Sequence, residues 1–136
     1  MFSDQPHPLT VRLVKKFNEL VLAALPLEED VVPGEIRKGS VVVGSCKGAP
    51  AEDCEYLLER MCSFTADSPQ QEIALDSVSK SVLLAIWAHL YLAWIHPFGD
   101  GNGRTARLLE FMILLGGGVP APAAHVLSNH YNQTRC

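Results

Sequence analysis

The chain has 136 residues, 48% of them hydrophobic and 19% charged, with a mean hydropathy of +0.13. That is one domain's worth of sequence with enough apolar material for a packed core, which sets disorder aside. A formal net charge of −4 supplies no overall positive field, so nucleic acid is not the expected partner.

Met1 to Pro8 is polar and holds two prolines, which reads as a loose N-terminal segment. Leu9–Leu25 has helical periodicity, with Leu13, Val14, Phe17, Leu20, Val21 and Ala24 on one face. Thr10 is placed to cap its start and Pro26 to close it. Gly34 to Gly48 is different in kind. Val41, Val42 and Val43 are β-branched and lie between Gly39 and Gly44, which predicts a short strand or hairpin. Such a hairpin either connects two helices or offers its edge to a partner's backbone, and the pattern leaves both open.

Pro50–Phe64 reads as a second helix, with Leu57, Leu58, Met61 and Cys62 facing inward, and Ser63–Glu72 as a loop. Ile73–Ile95 is the third helical region. Its last 14 residues, from Val82, are apolar almost all round, the pattern of a helix in the middle of a bundle. That stretch is short of the roughly 20 residues a membrane span needs, and no membrane contact is expected. Pro97 disfavours helical geometry at His96, so the helix should stop there. Arg104–Leu115 restarts the pattern with Leu108, Leu109, Met112 and Leu115 apolar, until Gly116-Gly117-Gly118 ends it. Ala123–Arg135 begins a last helix with no stop signal before Cys136, which suggests a truncated fragment.

None of the four cysteines forms a C-x-x-C pair, which argues against a zinc knuckle; Cys54 and Cys62 read as small apolar helix residues. No basic segment followed by an apolar one opens the chain, and a cytoplasmic, reduced protein is the expectation.

The chemistry concentrates in residues 96 to 107, His-Pro-Phe-Gly-Asp-Gly-Asn-Gly-Arg-Thr-Ala-Arg. A helix ends, the chain turns through glycines, and a new helix begins. The first-turn N–H groups of that helix lack intrahelical partners and carry partial positive charge. Glycines let the backbone approach a ligand closely. The turn Gly99-Asp100-Gly101-Asn102-Gly103 thus forms an anion nest at a helix N-terminus, suited to a di- or triphosphate. Arg104 and Arg107, three apart, share one side of the helix start, where a positive charge opposes the dipole unless an anion neutralises it. Asp100 stands at the mouth of the nest, where a carboxylate can hold Mg²⁺ beside phosphates. His96 precedes the loop and can take a proton near neutral pH.

Two other loops of similar composition fail. An EF-hand counted from Asp100 needs an oxygen ligand at its fifth position and Glu at its twelfth, where this chain has Arg104 and Phe111. A Walker A loop needs Gly-Lys-Ser/Thr, where this chain has Gly103-Arg104-Thr105.

Residues 96–107 resemble the Fic family signature, His-x-Phe-x-Asp/Glu-Gly-Asn-Gly-Arg-x-x-Arg, at every fixed position. Gly34-Glu35-Ile36-Arg37, Val41–Val43 and Gly48-Ala49-Pro50 look like the flap hairpin of that family, and Ser128–Asn132 like the segment after the signature helix. The likeness runs over 9–136 as the domain core. It implies a mainly α fold: a Fic-type bundle of about five to six helices with a small β-hairpin flap. It implies protein adenylylation, the transfer of AMP from ATP to a Ser, Thr or Tyr hydroxyl of a target protein, with pyrophosphate leaving. In that reading His96 is the general base and Asp100 binds Mg²⁺. The Gly101-Asn102-Gly103 backbone and the Asn102 side chain cradle phosphates, while Arg104 and Arg107 hold the β and γ groups. The flap, with Val41, Val42 and Val43, docks the target protein by strand addition.

Relatives that move UMP or phosphocholine, or remove AMP, keep those alternatives open, as does an inactive fragment acting as a binding module. A phosphate-transferring branch has Lys where this chain has Gly103. Many members are held inactive by a helix bearing Ser/Thr-x-x-x-Glu-Gly/Asn. No Glu-Gly or Glu-Asn pair occurs in these 136 residues, so the inhibitory helix is expected in a missing segment or on a partner protein. A homo-oligomer is left open.

Overall fold

The computed structural model describes residues 8–67 and 75–126. The order is α1 (Val11–Leu22), a two-stranded hairpin of β1 (Val42–Val43) and β2 (Cys46–Lys47), a 3₁₀ turn (Ala51–Asp53), α2 (Cys54–Asp67), α3 (Ser77–Ile95) and α4 (Asn102–Gly116). A short helix, α5, follows over 121–126. This is the expected mainly α bundle with one small hairpin.

Local chemistry sets the helix starts. Thr10 Oγ1 accepts from Leu13 N at 3.2 Å and Asp76 Oδ1 from Ser79 N at 2.7 Å. α4 has no such cap: it opens at Gly101, which has no side chain to offer. The core is built from Val14, Cys54, Leu58, Met61, Ala88, Leu92, Ile95, Phe98, Ala106 and Leu109, drawn from all four long helices and the loop before α4. α3 packs most extensively on α4. Between them His89 Nδ1 and Glu110 Oε2 meet at 2.6 Å, an interior polar contact that links the two helices. Cys54 and Cys62 are buried in α2 as expected, and burial pushes the Cys62 thiol up to about 11.

Several boundaries and faces differ from expectation. α1 ends at Leu22, and its buried row is Val14, Asn18 and Leu22, while Leu20 is exposed. An asparagine sits inside because its amide is bonded at both ends. Asn18 Nδ2 donates to Asp100 O at 2.9 Å and to Thr105 Oγ1 at 3.3 Å, and Asn18 Oδ1 accepts from Gly34 N at 2.9 Å. α2 continues to Asp67, through the start of the expected loop. α3 begins at Ser77, behind its Asp76 cap. It is not surrounded. Ser81, Ala85, Ala88, His89, Leu92 and Ile95 are buried, whereas Leu83, Leu90 and Trp94 are 56%, 57% and 59% exposed. At 19 residues it is long and apolar enough, by length and composition, to cross a membrane. On its outer side Phe64, Trp87, Tyr91 and Trp94 form a run of ring contacts with centroids 4.3–5.8 Å apart. In α4, Leu114 is buried and Leu115 exposed, because the helix starts at Asn102 and turns its 106–110–114 side to α3. Met1–His7, most of the expected last helix and Ser128–Asn132 lie outside the described residues.

The Asn18 staple should carry measurable stability. Asn18→Ala removes three hydrogen bonds, two part-buried and one buried, each worth about 0.5–1.5 kcal/mol net. Urea unfolding should show a loss of on the order of 3 kcal/mol. An unchanged midpoint would mean that Asn18 does not hold the loop.

Candidate functional site

The site grows out of the reversal between α3 and α4. α3 ends at Ile95, and His96 follows in the left-handed region at φ 51°, ψ 57°, its N–H still donating to Leu92 O at 2.9 Å. Few non-glycine residues adopt that backbone, and it re-aims the chain in a single step. Pro97 and Phe98 then turn inward. Asn102 closes the loop from the far side: its Oδ1 accepts from Phe98 N at 2.9 Å and its Nδ2 donates to Phe98 O at 2.8 Å. Gly101 has φ 76°, and a Cβ there would stand 2.9 Å from Leu22 Cδ2, so neither the backbone nor the space admits a side chain. The first helical hydrogen bond of α4 is Thr105 N to Gly101 O at 2.9 Å. The amides of Asn102, Gly103 and Arg104 precede it and have no acceptor within the helix.

Around this helix start is an open cavity of about 350 Å³, lined by His96, Gly99, Asp100, Gly101, Asn102, Gly103, Arg104 and Arg107. All the residues expected to carry a base, a metal or a phosphate therefore share one pocket. Asp100 Oδ1 accepts from Gly101 N and from Arg104 Nη2 at 3.1 Å. The Asp100–Arg104 pair is partly exposed, which makes it cheap to open. The Arg107 guanidinium lies over Gly103, where an added Cβ would be 3.5 Å from Nη1. Among the described residues no acidic side chain pairs with Arg107. His96 is half-buried. Burial pulls its imidazole below the ordinary 6.5 and the Arg37 charge adds to this, against a raising hydrogen bond with the Ala93 backbone. The neutral form, able to accept a proton, is thus favoured at neutral pH.

No group of three or more His, Cys, Asp or Glu side chains forms a metal cage among the described residues. The donor set still fits Mg²⁺, which accepts one carboxylate with phosphate oxygens and water for the rest. Asp100 would be that carboxylate. It is exposed and lines the pocket beside the free amides.

One expectation needs correcting. The Asn102 side chain is already engaged and has no polar group to offer a ligand: both ends of its amide are bonded to Phe98 and the residue is 4% exposed. It shapes the nest, and the backbone forms it. The flap also differs slightly. Val42 pairs with Lys47 and Val43 with Cys46 across a Gly44-Ser45 turn, with Gly44 at φ 60°. Val41 lies one residue outside the strand, its carbonyl accepting from Gly48 N at 2.9 Å. Val42 and Val43 are exposed.

Two supporting residues went unassigned in the sequence reading. Asn18 carries a readable signal, a polar side chain in the i, i+4 row between Val14 and Leu22. Arg37 carries none beyond its place next to the flap, and its Nε donates to His96 O at 2.7 Å.

With this geometry in hand, comparison with known proteins is specific. The family model described as "Fic/DOC family" matches residues 8–114. A Caenorhabditis briggsae protein named protein adenylyltransferase fic-1 is 33% identical over 122 residues, which is 88% of this chain and 22% of that protein. A Xanthomonas campestris pv. campestris protein named uridine 5'-monophosphate transferase is 28% identical over 128 residues, 89% of this chain and 24% of that protein. Among solved structures, a Fic domain containing signaling protein from Bacteroides thetaiotaomicron aligns with TM-score 0.62 and 25% identity, over 92% of this chain and 46% of that one. The chain thus spans about a quarter or less of the length of these two curated relatives.

The imidazole environment gives a direct test. Followed by NMR through its ring C–H signals, His96 should titrate with a midpoint below 6.5, since burial and the Arg37 charge both disfavour the protonated form. A midpoint above 6.5 would remove the basis for a neutral base at this position.

Proposed function

This chain belongs to the Fic/DOC family, and we propose that it carries the catalytic core of a protein adenylyltransferase, moving AMP from Mg-ATP to a hydroxyl of a target protein. The observation that supports this most directly is the single pocket shared by His96, Asp100, the uncapped start of α4, Arg104 and Arg107. A triphosphate is the ligand that uses all of them.

Each residue has a distinct task. His96 accepts the proton of the target hydroxyl. The freed oxygen attacks the α-phosphorus, the bond from that phosphorus to the bridging oxygen breaks, and pyrophosphate leaves. The amides of Asn102, Gly103 and Arg104 receive anionic oxygens at the positive end of α4. Arg104 leaves Asp100 and turns to the phosphates, and Arg107, which has no acidic partner among the described residues, takes the terminal group. Asp100, so released, would hold Mg²⁺, which neutralises phosphate charge. Val42 and Val43 hold the target's backbone along the exposed hairpin edge. Almost all the catalysis here is positioning and charge neutralisation, as phosphoryl-type transfers require.

A second reading, UMP transfer, is favoured by the Xanthomonas relative. The lining residues of the described pocket, His96, Asp100, Arg104 and Arg107 with the backbone of 101–103, suit a triphosphate whichever nucleobase it carries.

Incubation with labelled ATP and Mg²⁺ in a cell lysate, with mass spectrometry of the products, tests the proposal. Transfer should vanish in His96→Ala while calorimetry still records Mg-ATP binding. Equal loss of both would contradict His96 as the base. Asp100→Ala should weaken binding of Mg-ATP far more than of metal-free ATP. Label arriving from UTP in preference to ATP would select the second reading.

A further inference from the structure

Arg37 is 7% exposed, and its side chain addresses four backbone carbonyls. Nε donates to His96 O at 2.7 Å, Nη1 to Gly39 O at 2.7 Å, and Nη2 to Ala49 O and to Ile95 O at 3.3 Å. Its backbone N–H donates to Pro97 O at 2.9 Å, and the neighbouring Ile36 forms an antiparallel bridge with Phe98. Ala49 N returns a bond to Ile95 O at 3.2 Å. The four carbonyls belong to three pieces of chain. Gly39 enters the hairpin, Ala49 leaves it, and Ile95 and His96 end α3.

We propose that Arg37 is a positioning residue that joins both feet of the hairpin to the backbone of His96, so that a target held on the hairpin and the imidazole keep one fixed separation. This rests on the adenylyltransferase reading of the site. The physical case has three parts. The last carbonyls of α3 lack helical partners and mark its negative end, so a buried cation there is favourable. His96 holds a strained left-handed backbone, and the short bond from Nε pins the carbonyl that its ψ angle orients. The planar guanidinium reaches several acceptors at once in fixed directions, whereas a lysine ammonium would be a point charge on a flexible stem. Gly48 makes room for it, since a Cβ there would lie 3.0 Å from Arg37 Nη2. The nucleotide nest is held separately, by Asn18 and Asn102. Target alignment and nucleotide binding should therefore respond differently when Arg37 changes.

The experiment compares Arg37→Lys and Arg37→Met with wild type in two ways. The first is the steady-state transfer of AMP to the acceptor protein found in lysate. Displacement of the base relative to the acceptor by about 1 Å should lower kcat about 100-fold, with KM for Mg-ATP little changed, and lysine should not rescue it. Full rescue by lysine, or a loss carried by KM for Mg-ATP, would overturn the proposal. The second is amide hydrogen exchange, which needs no activity. Both variants should speed exchange at 41–49 and 96–98 and leave α1 protected. Unchanged exchange at the hairpin would overturn the proposal, as would a uniform rise that includes α1. If the methionine variant fails to fold, the lysine variant decides. If wild type transfers nothing, the adenylyltransferase reading fails, and the exchange result still judges whether Arg37 ties the hairpin to His96.

Discussion

Everything at the site follows from one constraint: the chain must pass from the acceptor end of α3 to the donor end of α4 within the six residues 96 to 101. Such a reversal brings unpaired carbonyls and unpaired amides close together. The protein treats the two ends oppositely. The carbonyl end is covered by its own Arg37, which donates to Ile95 and His96. The amide end is left without a side-chain cap, because the capping position is Gly101. The result is a helix start whose partial positive charge is available to a ligand and is reinforced by Arg104 and Arg107.

Holding that reversal open requires support from distant parts of the chain. From α1, Asn18 Nδ2 fastens the Asp100 carbonyl and the Thr105 hydroxyl, and Oδ1 of the same amide accepts from Gly34 N on the way to the hairpin. Asn102 fastens the loop to itself through Phe98. Both asparagines are buried and bonded at each end, the condition under which a polar group in the interior stabilises the fold. The shape of the pocket thus depends on two side chains that need never touch a nucleotide. The packing of α4 against α3, which the His89–Glu110 contact links, determines where Arg104 and Arg107 emerge.

Much of this was legible in the sequence. The helix stop before Pro97, the glycine turn, and the paired cation positions at 104 and 107 are local chemistry, and local chemistry can be read one residue at a time. The hairpin was legible for the same reason, since β-branched residues between glycines leave few choices. Tertiary placement was not. Hydropathy alone made Val82–Ile95 look surrounded, yet Leu83, Leu90 and Trp94 face outward, because composition does not say how many neighbours a helix has. The Asn102 side chain was expected on the phosphates because the resemblance to the family signature implies it. Only the bonds to Phe98 show that its side chain is already used. Arg37 was invisible as a cap because its four acceptors come from three segments that sequence order keeps apart.

The claim on which the rest depends is that the uncapped start of α4 receives a polyphosphate. Amide NMR during titration with Mg-ATP addresses it residue by residue. Saturable shifts should be largest at Asn102, Gly103 and Arg104, with the Arg104 and Arg107 side chains following the same curve. If the nucleotide binds while these three amides stay unmoved and the shifts fall elsewhere, the pocket is not where the chemistry occurs.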